Sequence, residues 1–230
     1  MLQKSTTASE SPSHERRSQR EDEMTESKFR IETERLVLTH LQPSVSSHCD
    51  FMVKLWNTKE FIASTGGKPT SITTTEAARK LIENRFQAEY ARNGYGTYLV
   101  SLKSPPGNES SEAIPPPPSE EEPIGTVSLT RGAHPTAYSA PDLGFAILPD
   151  YMRKGYAREA ATGLLAWAES ELHVYDVLGL CDPTNEGSNG VFRSLGFVDR
   201  GVRTLKEFGN VQGAVWVKPG MAEDLSVYGL

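Results

Sequence analysis

What this chain lacks narrows it first. Its 230 residues include two cysteines, Cys49 and Cys181, too few for a disulfide framework or for the paired ligands of a zinc site. Each sits in an apolar stretch and is expected as a buried thiol in a reducing compartment, with a Cys49–Cys181 disulfide as the minor alternative. The five histidines, His14, His40, His48, His134 and His173, form no i,i+4 pair and no HExxH, so no metal is expected. Positive charge is also in short supply: 24 Lys and Arg face 30 Asp and Glu, a net charge of −6. That is the wrong sign for a protein that grips a phosphate backbone, and no nucleic-acid partner is expected. No apolar run approaches the roughly 20 residues that span a bilayer. The N-terminal residues have no apolar signal core, and Arg16, Arg17 and Arg20 alternate with Glu15, Glu21, Asp22 and Glu23, unlike a transit peptide. The expectation is a cytoplasmic protein with no membrane partner.

What is present suits one globular domain, with 37% hydrophobic and 23% charged residues. Residues 1–27 carry almost no large apolar side chains and are expected to be a disordered tail. The domain is expected over 28–218, interrupted at 104–123 by a Pro-, Glu- and Ser-rich insertion within a β-hairpin, and followed by a C-terminal tail at 219–230. Pro115–Pro118 favour polyproline II, which fits an SH3 or WW ligand; a solvated insertion is the favoured reading. The periodicities predict strands at 35–39, 96–103, 124–131, 142–148, 174–181, 197–204 and 213–217. They predict helices from 44 to about 56, at 73–90 (stripe Ala78, Ile82, Phe86, Tyr90; stop Asn93-Gly94), at 154–172 and at 185–195. This order gives a mixed α/β domain around one sheet, with 174–181 expected to be covered on both faces.

The segment Leu148–Ala161, LPDYMRKGYAREAA, passes from a strand into a helix within a few residues. The first N–H groups of a helix lack intrahelical partners and carry partial positive charge. Gly155 and Ala157 keep side chains out of the way, and Arg153, Lys154 and Arg158 add full charges around them. Such a place suits a diphosphate, although it has neither GxGxxG nor a P-loop.

Downstream stand Asp182-Pro183-Thr184-Asn185-Glu186-Gly187-Ser188 and Leu195-Gly196-Phe197. The pair PxYxxKGYAxEA and DPxNxxS…LGF resembles the GNAT acetyltransferase superfamily, and within it the RimJ/RimL-type N-acetyltransferase branch. TERLVL at Thr33–Leu38, IGTVSL at Ile124–Leu129 and DLGF at Asp142–Phe145 extend the resemblance over about Phe29 to Val217. It implies an α+β GNAT fold, a mixed and mostly antiparallel central sheet flanked by helices, with acetyl-CoA as co-substrate. Backbone groups of Ile147 and Leu148 would pair with the pantetheine arm and supply an oxyanion donor. The backbone of Met152, Arg153, Lys154, Gly155, Tyr156, Ala157 and Arg158 would cradle the pyrophosphate. Asn185 would meet the pantetheine or thioester, and Ser188 would lie near the sulfur as candidate acid. Asp142 occupies the acidic position of the family's strand and is the candidate base; a surface carboxylate at a strand start is the alternative. Glu159 is expected to stabilise the helix start. Met152 replaces the usual Gln or Arg, and Phe192 stands where many members carry a tyrosine acid.

The implied reaction is direct attack by a primary amine on acetyl-CoA in a ternary complex. The branch favours a protein or peptide N-terminus as acceptor. A small-molecule amine, polyamine or amino acid is the alternative, and a catalytically weak acyl-CoA-binding regulatory module is the alternative of another class. The loops Thr58–Ile72 and Gly132–Ala140 carry no readable motif for the acceptor. Tyr138 is expected as an exposed loop residue that could touch it.

Overall fold

The computed structural model describes residues 29–103, 121–133, 135 and 137–230. The expected tail at 1–27 and the Pro115–Pro118 run lie outside the described residues. Eight strands form one sheet in the order β1-β2-β3-β4-β5-β6-β8-β7. They are β1 (Arg30–Glu32), β2 (Leu36–His40), β3 (Thr97–Leu102), β4 (Glu122–Thr130), β5 (Asp142–Ile147), β6 (Leu178–Cys181), β7 (Val198–Leu205) and β8 (Val211–Val217). All pairings are antiparallel except β5 with β6. The mixed, mostly antiparallel sheet read from the sequence is therefore the one observed.

Helices α1 (Ser46–Trp56), α2 (Lys59–Ser64), α3 (Thr75–Leu81) and α4 (Gln87–Asn93) precede β3. Helix α5 (Tyr156–Leu172) links β5 to β6, and α6 (Glu186–Ser194) links β6 to β7. Strand alternation divides the core between the two faces of the sheet. Tyr98 and Val100 of β3 join Ala160, Ala161, Leu164 and Ala168 of α5 on one side. Leu99 joins Met52 and Leu55 of α1, and Ala78, Ile82 and Phe86, on the other.

The predicted helix at 73–90 begins at Thr75, where Thr74 Oγ1 accepts the Ala77 N–H, and ends at Gly94 with φ 75°. Between α3 and α4 it contains a π turn, Ile82–Phe86. A strict four-residue apolar repeat explains this: on a 3.6-residue helix the stripe 78, 82, 86, 90 drifts by about 40° per step. One wider turn brings Ile82 and Phe86 back onto the sheet.

Three expectations need correction. The strand expected at 174–181 is ordered as a ladder only at Leu178–Cys181. His173 closes α5 with φ 56°, and Tyr175 is exposed, so the chain runs along the surface before entering the sheet. Helix α2, capped by Thr58 Oγ1 on the Phe61 N–H, lies inside a segment read as loop. The segment 219–230 does not trail away, because Met221, Leu225 and Tyr228 are buried against Tyr138, Leu178 and Val217.

Candidate active site

Strands β5 and β6 are paired at a single register position, Asp142 with Leu178, where Leu178 N–H donates to Pro141 O at 2.8 Å. In a continuing parallel ladder the next donor, Leu180 N–H, would meet Leu143 O. It is taken instead by the Asp142 carboxyl, Leu180 N to Oδ1 at 2.9 Å. A side chain thus replaces a backbone rung where the strands part. Beyond it the β5 edge is open, and alternation decides which groups face the opening. Leu148 N–H donates to Ile124 O at 2.8 Å in the β4 ladder. The outward-facing backbone groups are then those of Phe145 and Ile147. The expected pantetheine edge keeps Ile147 but loses Leu148, whose N–H is spent and whose side chain is buried in the core. Leu148 cannot be the oxyanion donor, and Phe145, absent from the sequence reading, takes its place on the edge.

The opening leads into a cleft of about 690 Å³. Its floor includes Phe145, Ala146 and Ile147; one wall is the Met152–Arg158 turn and the other is α6, with Asn185 and Ser188. Glu60 and Phe61 of α2 form part of the rim, a contribution hidden in the sequence because α2 is short. In the turn, Arg153 has φ 60° and Gly155 φ 83°, so two left-handed residues curl the backbone into a nest ahead of α5. No side chain caps α5, which leaves its leading N–H groups to an external acceptor.

The turn is held from behind. Glu159 accepts from Thr33 Oγ1 (2.6 Å), Arg35 N (2.7 Å) and Arg35 Nε (2.7 Å), and Arg35 Nη1 donates to Lys154 O at 3.1 Å. The Arg35 guanidinium also lies 4.5 Å above the Tyr156 ring. These bonds outweigh burial and hold the Glu159 carboxyl below its usual range. Glu159 is therefore a brace between the β1–β2 turn and α5, a larger role than the expected helix-dipole effect. Lys154 departs from expectation: it does not line the cleft, and its Nζ lies 5.3 Å above the Tyr151 ring.

Across the cleft, Asn185 caps α6, its Oδ1 accepting Ser188 N–H at 3.0 Å. Its side-chain NH2 has no partner among the described residues. Ser188 thus donates to the cap and is not itself one. Phe192 is 1% exposed and packs on Phe145, Phe197 and Trp216; no phenol reaches the cleft from this position. Both cysteines are free, and burial pushes the Cys181 thiol up to about 12, unsuited to a nucleophile. Asp142 is not a surface carboxylate. Burial drives its carboxyl well above the usual range against the opposing Leu180 N–H bond, and part of the residue opens onto a second, smaller cleft.

Residues 35–198 match the acetyltransferase (GNAT) domain family. A curated relative, the uncharacterized N-acetyltransferase YnaD of Bacillus subtilis (strain 168), is 33% identical over 55 residues, 24% of this chain and 32% of the relative. The match thus spans about a third of that relative's length. Among solved structures, the ribosomal-protein-S5-alanine acetyltransferase from Vibrio fischeri superposes with a TM-score of 0.61 at 18% identity, over 86% of this chain and 99% of that one. The acetyl transferase from Salmonella typhimurium that modifies the N-terminal serine of ribosomal subunit protein L7/L12 gives 0.61 at 17%, over 83% and 98%. At these identities the likeness is one of fold.

Proposed function

The chain belongs to the GNAT acetyltransferase family, and from that premise we propose that it transfers the acetyl group of acetyl-CoA to a primary amine by direct attack in a ternary complex. The observation that carries this reading is the continuity of one cleft from the Met152–Arg158 nest to the parted strands. An anion at the nest and an extended arm along β5 would be satisfied together. The pyrophosphate oxygens meet the N–H groups leading α5, with Arg153 and Arg158 beside them. The pantetheine amides add to the β5 edge through Phe145 and Ile147 as an extra strand would. The Asn185 side-chain NH2 faces the same space.

Acyl transfer needs a neutral amine, a donor for the thioester oxygen and a proton for the departing thiolate. The Ile147 N–H is the oxyanion donor in this reading. With Phe192 in the core, Ser188 is the acid candidate for the sulfur, directly or through water. Asp142 is the base candidate, acting through water from beneath the opening. Holding both substrates in one site supplies much of the rate by removing the bimolecular encounter. A protein or peptide N-terminus as acceptor draws support from the ribosomal-protein enzymes that share the fold. A small-molecule amine fits the same chemistry.

The test is thiol release from acetyl-CoA against a panel of amines and N-terminal peptides, with donor affinity measured separately. Gly155→Glu puts a side chain on a φ of 83° and a negative charge at the nest. It should weaken acetyl-CoA binding at least tenfold, the order expected when a charge-assisted contact is replaced by repulsion. Unchanged affinity in a folded variant would remove the cradle. Binding without thiol release for any acceptor would make the chain an acyl-CoA-binding module instead.

A further inference from the structure

A second cleft of about 350 Å³ lies at the other end of β5, between α4, the residues Gly132, Ala133, Tyr138 and Ala140 that follow β4, and the β7–β8 turn. Its wall contains two buried polar groups that the described residues leave unmatched. Glu89 is 7% exposed; its Oε1 faces Arg85 Nε at 3.4 Å, and its Oε2 has no hydrogen-bond partner. Tyr138, expected as an exposed loop residue, is 3% exposed, and its hydroxyl has no partner either. Buried oxygens of this kind are costly unless something donates to them. The three cleft arginines are exposed and each has a partner: Arg85 Nε faces Glu89 Oε1, Arg92 Nη2 donates to Arg131 O and Arg131 Nη1 to Ser139 O, which leaves Glu89 Oε2 unmet. What the buried wall lacks is a donor. A π turn, Ile82–Phe86, immediately precedes α4 and sets the face that α4 presents.

The two clefts share a floor. Side chains at alternate positions of a strand lie on one face, so Asp142, Gly144 and Ala146 look the same way. Asp142 lines the second cleft and Ala146 the donor cleft. Between them Gly144 has no side chain, opposite Ser128 of β4. Both Gly144 and Ser128 are partly exposed, and a Cβ on Gly144 would stand 2.6 Å from Ser128 Oγ. From Asp142 to this bare spot is two residues, about 7 Å.

We infer that the second cleft holds the far end of the acceptor, and that the acceptor is an amine bearing a second cationic group, bound by Glu89 and Tyr138. The inference rests on the transferase reading and specifies its substrate class. The reactive amine lies over Gly144 beside the donor cleft while the second cation sits at Glu89, as an alkyl diamine, or a peptide N-terminus with a basic residue close behind it, would present them. The Asp142 carboxyl, which burial pushes well above its usual range, gains a neighbouring positive charge when the acceptor arrives.

The experiment compares kcat/KM, from thiol release, for 1,4-diaminobutane against n-butylamine and for Ser-Lys-Ala-amide against Ser-norleucine-Ala-amide. At least one pair should show about tenfold or greater preference for the dication, the discrimination one charge-assisted hydrogen bond supports. The preferred pair identifies the source. In Glu89→Gln the preference should collapse to near unity, and in Tyr138→Phe, which alters no charge, it should fall severalfold. Should Glu89→Gln fail to fold, the native ratio and Tyr138→Phe decide. Neither pair discriminated, or a preference untouched by both substitutions, overturns the inference. Calorimetric titration of 1,4-diaminobutane and of Ser-Lys-Ala-amide into the coenzyme A-bound protein separates the two readings. Binding of either that Glu89→Gln abolishes, without any thiol release, sustains the cation site and removes the transferase reading. Binding of neither removes the cation site.

Discussion

The Asp142 carboxyl accepts the Leu180 N–H at 2.9 Å and so occupies the place of a backbone carbonyl between β5 and β6. Its place in DLGF marks it as the acidic strand position, but nothing in the sequence says that its oxygen meets Leu180 N–H. That contact joins residues 38 positions apart and exists only once β6 is laid beside β5. The bond gives Asp142→Asn and Asp142→Ala different fates. Asparagine keeps an acceptor oxygen, so the strands should stay parted and donor affinity should hold. Alanine frees the Leu180 N–H, and donor affinity should fall. If Asp142 is also the base, Asp142→Asn loses turnover and the rising limb of its pH–rate profile; native turnover from pH 6 to 9 would leave it a spacer only. Stability adds an independent check. The folded carboxyl titrates above the unfolded value of 3.8, so as pH rises past that value the unfolded chain ionises first. The folded state loses stability until its own raised value is passed, and the difference then levels off. Melting temperatures of Asp142→Asn relative to the native chain should therefore improve as pH rises from about 4, and a pH-independent difference would refute the shift.

At the scale of elements, α6 reads easily from its ends and poorly from its middle. Asn185 and Leu195-Gly196-Phe197 mark its limits, and between them stand Gly187 and Gly190, both poor helix formers. The structure gives Gly190 a specific setting: a Cβ there would meet nothing within 4 Å, and the residue lines the donor cleft. Gly190→Ala should stabilise the helix by about 1 kcal/mol, the ordinary glycine-to-alanine difference. The same methyl occupies donor space, so KM for acetyl-CoA should rise while the melting temperature rises too. A variant with higher stability and unchanged KM would separate Gly190 from the donor site. The other elements divide along a similar line. Strongly periodic ones, such as α1 and α5, are legible because one face must be buried, and β3 is legible as a short run buried on both faces. The six-residue α2 has no buried residue and therefore no stripe to read, and the 174–177 run is apolar enough to mimic a strand it does not join. The π turn is written in the four-residue spacing, which resembles an ordinary helix stripe but drifts by about 40° per step.

On the scale of the whole molecule, β5 runs from an acceptor end that the sequence does not announce to a donor end that it does. The donor side depends on backbone geometry at a few consecutive positions, and glycine and cap residues record such geometry locally. The acceptor side is assembled from α4, a loop after β4 and a turn after β7, brought together only by the fold. Glu89, Asp142 and Tyr138 are unremarkable in isolation along the chain. Their common wall is what gives them chemistry.

The carboxyl that stands in for a backbone rung also has a consequence for time. Because Asp142 keeps β5 and β6 apart from within, no ladder has to unzip when the donor arrives. The gap is built during folding, and binding begins from an open slot. Observed association rates for acetyl-CoA should then climb linearly with concentration, as for one-step capture, and a plateau would mean that the strands must first come apart.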